Sequence, residues 1–235
     1  MIISGIFVYG LILLASLIAI ISQKIDVPGG IAGGATTCLL YATTKLFGVF
    51  MIGSFFVLGT LASLYRIRYK TNLNLAEARN SKRGWKNVLS NSGSAALFAL
   101  IDVVFPELIQ VEFIIASCFA TALSDTFSSE MGNVTGRNYF SILTLRSGKR
   151  GVDGVVSWQG FGWGLVGSSI IGALYWVFFS LIVNAASILL IGFFGNVLDS
   201  VLGATLQKKK YLGNHGVNFV STTAATGLAL VYLLW

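Results

Sequence analysis

The feature that most limits this chain is a succession of apolar runs, each close to the length of a bilayer crossing. A helix needs about 20 mostly apolar residues to span the hydrocarbon region. Clear runs occupy about 2–22, 46–65, 112–131, 156–183, 186–206 and 217–235. Two weaker runs, the glycine-rich 29–44 and the polar-started 88–105, complete a set of eight. The expected fold is therefore all-α: one integral-membrane domain over 1–235, a polytopic transmembrane bundle of about eight helices, or seven if 29–44 does not cross. Only 11% of the 235 residues are charged, against roughly 25% in a soluble domain. That excludes a water-soluble globule, and the 55% hydrophobic content excludes a disordered chain. The first run lacks a basic start and a cleavage site, so it reads as a retained helix rather than a signal peptide.

Charge placement orients the bundle. With eight spans the connections alternate sides, and 23–28, 66–87, 132–155 and 207–216 hold all the Lys and Arg except Lys45. Asp102, Glu107 and Glu112 fall on the other side. By the positive-inside rule the basic loops face the cytoplasm and both termini lie opposite. Without 29–44 the amino terminus would move to the cytoplasmic side. The net charge of +7 is thus a topology signal, and no nucleic-acid partner is inferred from it. Gly160, Gly164, Ser168 and Gly172 recur at every fourth position, the spacing of a close helix–helix packing face. Cys38 and Cys118 lie within apolar runs and imply no disulfide framework.

An ionisable side chain inside a membrane segment is costly and marks function by default. Asp125 and Glu130 lie in Ser124-Asp-Thr-Phe-Ser-Ser-Glu130, and Asp199 in Asn196-Val-Leu-Asp-Ser200. At 1.5 Å per residue, Asp125 sits about 10 Å and Asp199 about 12 Å from the basic-side helix ends. The acids thus line a pocket open to that side. Asp125 and Glu130, five apart, cannot chelate one ion from one straight helix. A carboxylate from each of two helices, completed by hydroxyls, water and phosphate oxygens, suits Mg2+. Pairing with loop Arg or Lys is the competing, structural reading of the same acids.

The loop Arg146-Ser-Gly-Lys-Arg-Gly-Val-Asp-Gly154 joins glycine to positive charge, a combination that suits an anion, although it lacks Walker spacing. Asp153 within it is a further metal or ribose candidate. Asn91-Ser-Gly-Ser94 is expected near a helix amino end, where backbone N–H groups favour anions. His215, the single histidine, cannot build a zinc site alone and is read as a phosphate-binding or acid/base candidate. Carboxylates for Mg2+ and cations for phosphate beside a lipid-accessible pocket together suit phosphoryl transfer onto an anionic lipid.

These motifs resemble the integral-membrane family that contains plant phytyl-phosphate kinase of the vitamin E pathway and animal transmembrane protein nineteen, with bacterial and archaeal members. The matching residues are Arg83-Gly-Trp, Val88-Leu and Asn91-Ser-Gly, then Ala122-Leu-Ser-Asp125-Thr-Phe-Ser-Ser-Glu130-Met-Gly. Gly148-Lys-Arg150, Asp153-Gly, Val156-Ser157, Asp199-Ser-Val-Leu-Gly-Ala-Thr-Leu-Gln207 and Asn218-Phe-Val-Ser-Thr222 follow in order. The loop from Gly148 to Ser157 is about three residues shorter than the family's usual form.

The resemblance implies a prenyl-monophosphate kinase that converts phytyl, geranylgeranyl or farnesyl phosphate to the diphosphate, with Mg2+ and CTP or ATP as donor. It implies Asp125, Glu130 and Asp199 as magnesium or reacting-phosphate organisers. Lys149 and Arg150 would bind donor phosphate, with Asn91, Arg83 and Asn218 as supporting contacts. The implied partners are the prenyl-phosphate lipid, the nucleotide and membrane lipids, and a homo-oligomer is compatible with the sequence. The alternative is a transporter or flippase of phosphorylated lipid; transporter sites, however, tend to lie at the midplane between inverted repeats.

Overall fold

Apolar runs become helices because a backbone in hydrocarbon must satisfy its own hydrogen bonds. The computed structural model describes residues 2–73, 75, 82–106 and 108–235; Arg79 and Glu107, counted among the loop charges, lie outside them. Its elements are α1 (Ile2–Ile21), α2 (Val27–Thr44), α3 (Leu46–Leu64), a short α4 (Ile67–Asn72), α5 (Trp85–Val104) and α6 (Val111–Thr135). A hairpin of β1 (Tyr139–Ser141) and β2 (Val155–Ser157) follows, then α7 (Trp158–Phe179), α8 (Ile182–Leu202) with a π-helical extension (Gly203–Gln207), and α9 (Asn214–Leu233). Six of these helices, α3, α5, α6, α7, extended α8 and α9, are long and apolar enough to cross a membrane. The protein is an all-α, multi-pass membrane bundle.

The core is organised by α6, which packs on α3, α5, α7, α8 and α9. In its most apolar stretch 78% of residues are buried, against 33–44% in the other five. Small side chains permit this central position. A Cβ on Gly167 would lie 2.7 Å from the Leu123 carbonyl oxygen, and one on Gly132 would lie 2.8 Å from Gly160 Cα. Gly160 and Gly164 on α7 meet Ser128 and Ser124 of α6 in the same way. The four-residue repeat of small side chains is thus a packing face. The glycine-rich stretch is also helical: Asp26 caps α2, accepting from the Gly29 N–H at 2.7 Å.

Several boundaries differ from the apolar runs. The run 156–183 opens as a strand: β1 and β2 are antiparallel, pairing Tyr139 with Ser157 and Ser141 with Val155. Ser157 then caps α7 by accepting from the Gly160 N–H at 3.1 Å. Gly154 needs its φ of +71°, and its α-carbon lies against Ala204 where the π-helix begins. The helix α5 starts at Trp85 because the segment before it pairs with the α1–α2 connection, Asp26 N–H donating to the Arg83 carbonyl and Arg83 N–H to that of Lys24, each at 3.0 Å. Asn91–Ser94 consequently lie inside α5, and their backbone groups are spent on the helix. Finally, α6 runs to Thr135, whose hydroxyl accepts from Trp163 Nε1 at 3.1 Å. That extension puts Asp125 about 15 Å from its helix end, deeper than the apolar run implies.

Candidate active site

At the end of the bundle where the basic connections gather, a cavity of about 880 Å³ opens between α5, α6, α8, α9 and the β-hairpin loop. Asp125, Ser129 and Asn133 reach it from α6, at four-residue intervals that keep them near one helix face. Asp199, Ser200, Gly203 and Gln207 reach it from α8 and its extension. The π-turn widens the helix at the point where the sequence passes from Asp199 to Gln207, and such turns are frequent at functional sites. Asp153 and its neighbours 151–157 form the hairpin side.

Each acid has a different environment. Asp199 Oδ2 accepts from the Ser221 hydroxyl at 3.0 Å, which ties α8 to α9. Glu130 is engaged: its Oε2 lies 2.6 Å from Lys70 Nζ. The Lys70 side chain is 1% exposed, and its ammonium also donates to the Ala62 and Ser63 carbonyls at 3.1 and 2.6 Å. Three donors thus meet three acceptors, and Lys70 clamps the end of α3 to α6. For Glu130 the structural reading of a membrane acid, pairing with a loop cation, is what the geometry displays.

The cations of the cavity come from the segment leading into α5. Lys82, Arg83 and Lys86 line it, with Asn87 and Asn91 from the same element and Asn214, His215 and Asn218 from the start of α9. Arg83 is 8% exposed; its guanidinium sits 4.8 Å over the Phe55 ring and fills the space a side chain on Gly59 would take. Asn91, 4% exposed, is oriented by its Nδ2 donating to the Asn87 carbonyl at 2.8 Å. Neither α5 nor α9 has a side-chain N-cap, Gly84 and Gly213 holding those positions.

Of the residues expected at the site, Asp125, Glu130, Asp199, Asn91, Arg83, Asp153, Asn218 and His215 meet in this cavity, and Lys149 and Arg150 do not line it. Lys149 is exposed. Arg150 donates to Tyr69 Oη at 3.0 Å and to the Gly136 carbonyl at 3.4 Å, over the Tyr139 ring. Partial burial raises the Tyr139 phenol above its usual range although Arg150 opposes it. The phenol stays protonated at neutral pH and donates to the Gly132 carbonyl at 2.9 Å. Arg150 therefore fastens the hairpin loop to α4. Sequence reasoning gave no site role to Lys82, Lys86, Asn133 or Gln207. The repeat Asp125–Ser129–Asn133 and the amide ending the Asp199–Gln207 segment were the available signals.

The donor set can be tested against Mg2+. Among the described residues no three His, Cys, Asp or Glu side chains converge as a metal cluster. Asp125 and Asp199 from two helices, beside Ser129 and Ser200, fit an ion that takes one or two carboxylates and completes its shell with phosphate and water.

The family model described as integral membrane protein DUF92 matches residues 10–226. An uncharacterized membrane protein of Synechocystis is 31% identical over 92% of this chain and 86% of its own length. The chloroplastic protein VTE6 of Arabidopsis thaliana is 27% identical over 92% of this chain and 68% of its own. An uncharacterized membrane protein of Methanocaldococcus jannaschii is 32% identical over 72% of this chain and 69% of its own. No solved structure matches. This helical bundle, with Asp125, Asp153 and Asp199 on one cavity and matched by the family model over nearly its full length, belongs to the DUF92 integral-membrane family.

Proposed function

We propose that the protein is a prenyl-monophosphate kinase, transferring the terminal phosphoryl group of CTP or ATP to a phytyl-, geranylgeranyl- or farnesyl-type phosphate at a cytoplasm-facing site. The observation that carries this reading is the charge make-up of the cavity. Once Glu130 is set against Lys70, Asp125, Asp153 and Asp199 line the cavity together with Lys82, Lys86 and His215. A bare polyphosphate would be repelled by the acids, whereas a phosphate arriving with divalent metal is accommodated. The resemblance to a family with a plant phytyl-phosphate kinase, and the similarity to VTE6, support the same reading.

Asp125 and Asp199 would hold Mg2+, which when bound neutralises charge on the transferring phosphoryl group. Asp199 is kept in place by Ser221, so its carboxylate need not reorganise during the reaction. The acceptor needs no strong base, because a phosphate monoester with a second pKa of about 6 is already largely a dianion at pH 7. One of its oxygens forms the new bond to the terminal phosphorus. The bond from that phosphorus to the nucleotide's bridging oxygen breaks, and the nucleoside diphosphate leaves with the electron pair. In-line positioning and charge neutralisation carry the rate.

Purified protein in detergent, given farnesyl or phytyl monophosphate, labelled CTP or ATP and Mg2+, should yield labelled prenyl diphosphate. Asp125→Asn and Asp199→Asn should each lower turnover by about 10²–10³-fold or more with the fold intact by circular dichroism. Absence of diphosphate with every pairing, together with lipid-phosphate movement across liposome bilayers, would replace the kinase by a flippase.

A further inference from the structure

We infer that the cavity is divided into two subsites of opposite charge, and that the acceptor monophosphate is held without metal on the Lys82–Lys86 side. This inference rests on the kinase reading and assigns to its two substrates separate walls. The division follows from which elements carry the charges. Lys82 and Arg83 belong to the segment paired with Lys24–Asp26, and Arg83 is packed on Phe55 and Gly59 of α3. Asp199 lies on α8 and is tied to α9 by Ser221. Asp153 lies in the hairpin loop, whose next residue, Gly154, abuts Ala204 of the π-helix. Between these two groups runs α9, bonded to α5 through Thr222 and the Ser90 carbonyl at 3.3 Å and to α8 through Ser221. The α5 and α3 edge thus carries Lys82, Arg83 and Lys86 against the single carboxylate of Asp26, which lies beside Gly84, whereas Asp125, Asp153 and Asp199 gather on the α6, α8 and hairpin side.

The two edges suit different phosphates. A monophosphate carries up to two charges and is balanced by Lys82 and Lys86, with Asn87 and His215 as further polar groups of that wall. The nucleotide's polyphosphate exceeds that capacity and matches the carboxylate edge only with its divalent ion. The outer surface beside the cationic edge is apolar: Trp85 is 46%, Leu89 40% and Phe219 43% exposed. A prenyl chain leaving that edge therefore meets an apolar surface.

The test is direct binding in detergent, with farnesyl monophosphate as probe in EDTA and a non-hydrolysable CTP or ATP analogue with Mg2+ as the second probe. Wild type should bind farnesyl monophosphate in EDTA and bind farnesol at least tenfold more weakly. Lys82→Gln/Lys86→Gln should weaken farnesyl monophosphate by at least tenfold while retaining the Mg2+–nucleotide analogue, which also shows that the variant is folded. Asp125→Asn and Asp199→Asn should reverse the pattern, losing the analogue and keeping metal-free farnesyl monophosphate within about twofold. No metal-free binding by wild type, loss of it in the Asp variants, or its retention in the Lys double variant would each overturn the division. Failure of the kinase reading is separate: wild type would form no diphosphate, whatever the two binding patterns.

Discussion

Two stretches of this chain look alike in charge and differ in what they touch. Lys82-Arg83-Gly-Trp-Lys86 places all three cations on the cavity, whereas Gly148-Lys149-Arg150 places neither of its own there. The first is held by strand-like pairing with residues 24–26 and by Arg83 packing on Phe55. The second sits at the turn of a hairpin, where Gly151 needs a φ of +78°, and Arg150 reaches sideways to Tyr69. A basic, glycine-rich loop reads as an anion cradle in sequence, yet here Arg150 secures the loop, and its backbone at 151–154 faces the cavity instead. Lys70, from the same connection as Lys82, has a third fate inside the α3–α6 contact. What a cation does is set by its anchor.

The comparison can be broken or sharpened with substitutions of decreasing effect. Lys70→Met should be the most damaging, costing about 3 kcal/mol of stability by leaving Glu130 and two α3 carbonyls without their donor. Thermal unfolding in detergent measures it, and Lys70→Met/Glu130→Gln should recover part of the loss in a double-mutant cycle. Lys82→Gln/Lys86→Gln should reduce kcat/KM for the prenyl phosphate by about 30-fold, expressed mainly in KM for that substrate. Arg150→Leu should cost about 1 kcal/mol or less, seen as faster hydrogen exchange across 142–154 with a smaller change in turnover. Lys149→Gln, exposed and outside the cavity, should change kcat/KM by less than about threefold. A larger loss from Lys149→Gln than from the Lys82/Lys86 pair would invert the assignment of the two segments.

Much of the candidate site was legible in advance because its signals are local. Asp125 and Asp199 stand out as charges within apolar helices, where ionised groups are costly, and His215 and Asn218 lie in the first turns of α9. The partner of Glu130 was not legible. Lys70 and Glu130 are 60 residues apart, and nothing near either residue distinguishes a clamp from a ligand. The strand opening at Val155 was hidden for a related reason: Val155 and Val156 extend the apolar run, and only pairing with Ser141 and Phe140 makes them β. The start of α5 likewise falls three residues before the apolar run, at Trp85, directly after Arg83 pairs with residues 24–26.

The amino-acid sequence by itself determined the membrane bundle, the helix order and the gathering of basic residues into a few connections. Each of these follows from summed hydropathy over about 20 residues, which no distant contact can reverse. Only the tertiary structure decided which charges share a cavity and which are spent as fasteners. A charged side chain is fixed by the polar groups brought within hydrogen-bond reach, and these are supplied by another helix: Glu130 for Lys70 and Ser221 for Asp199.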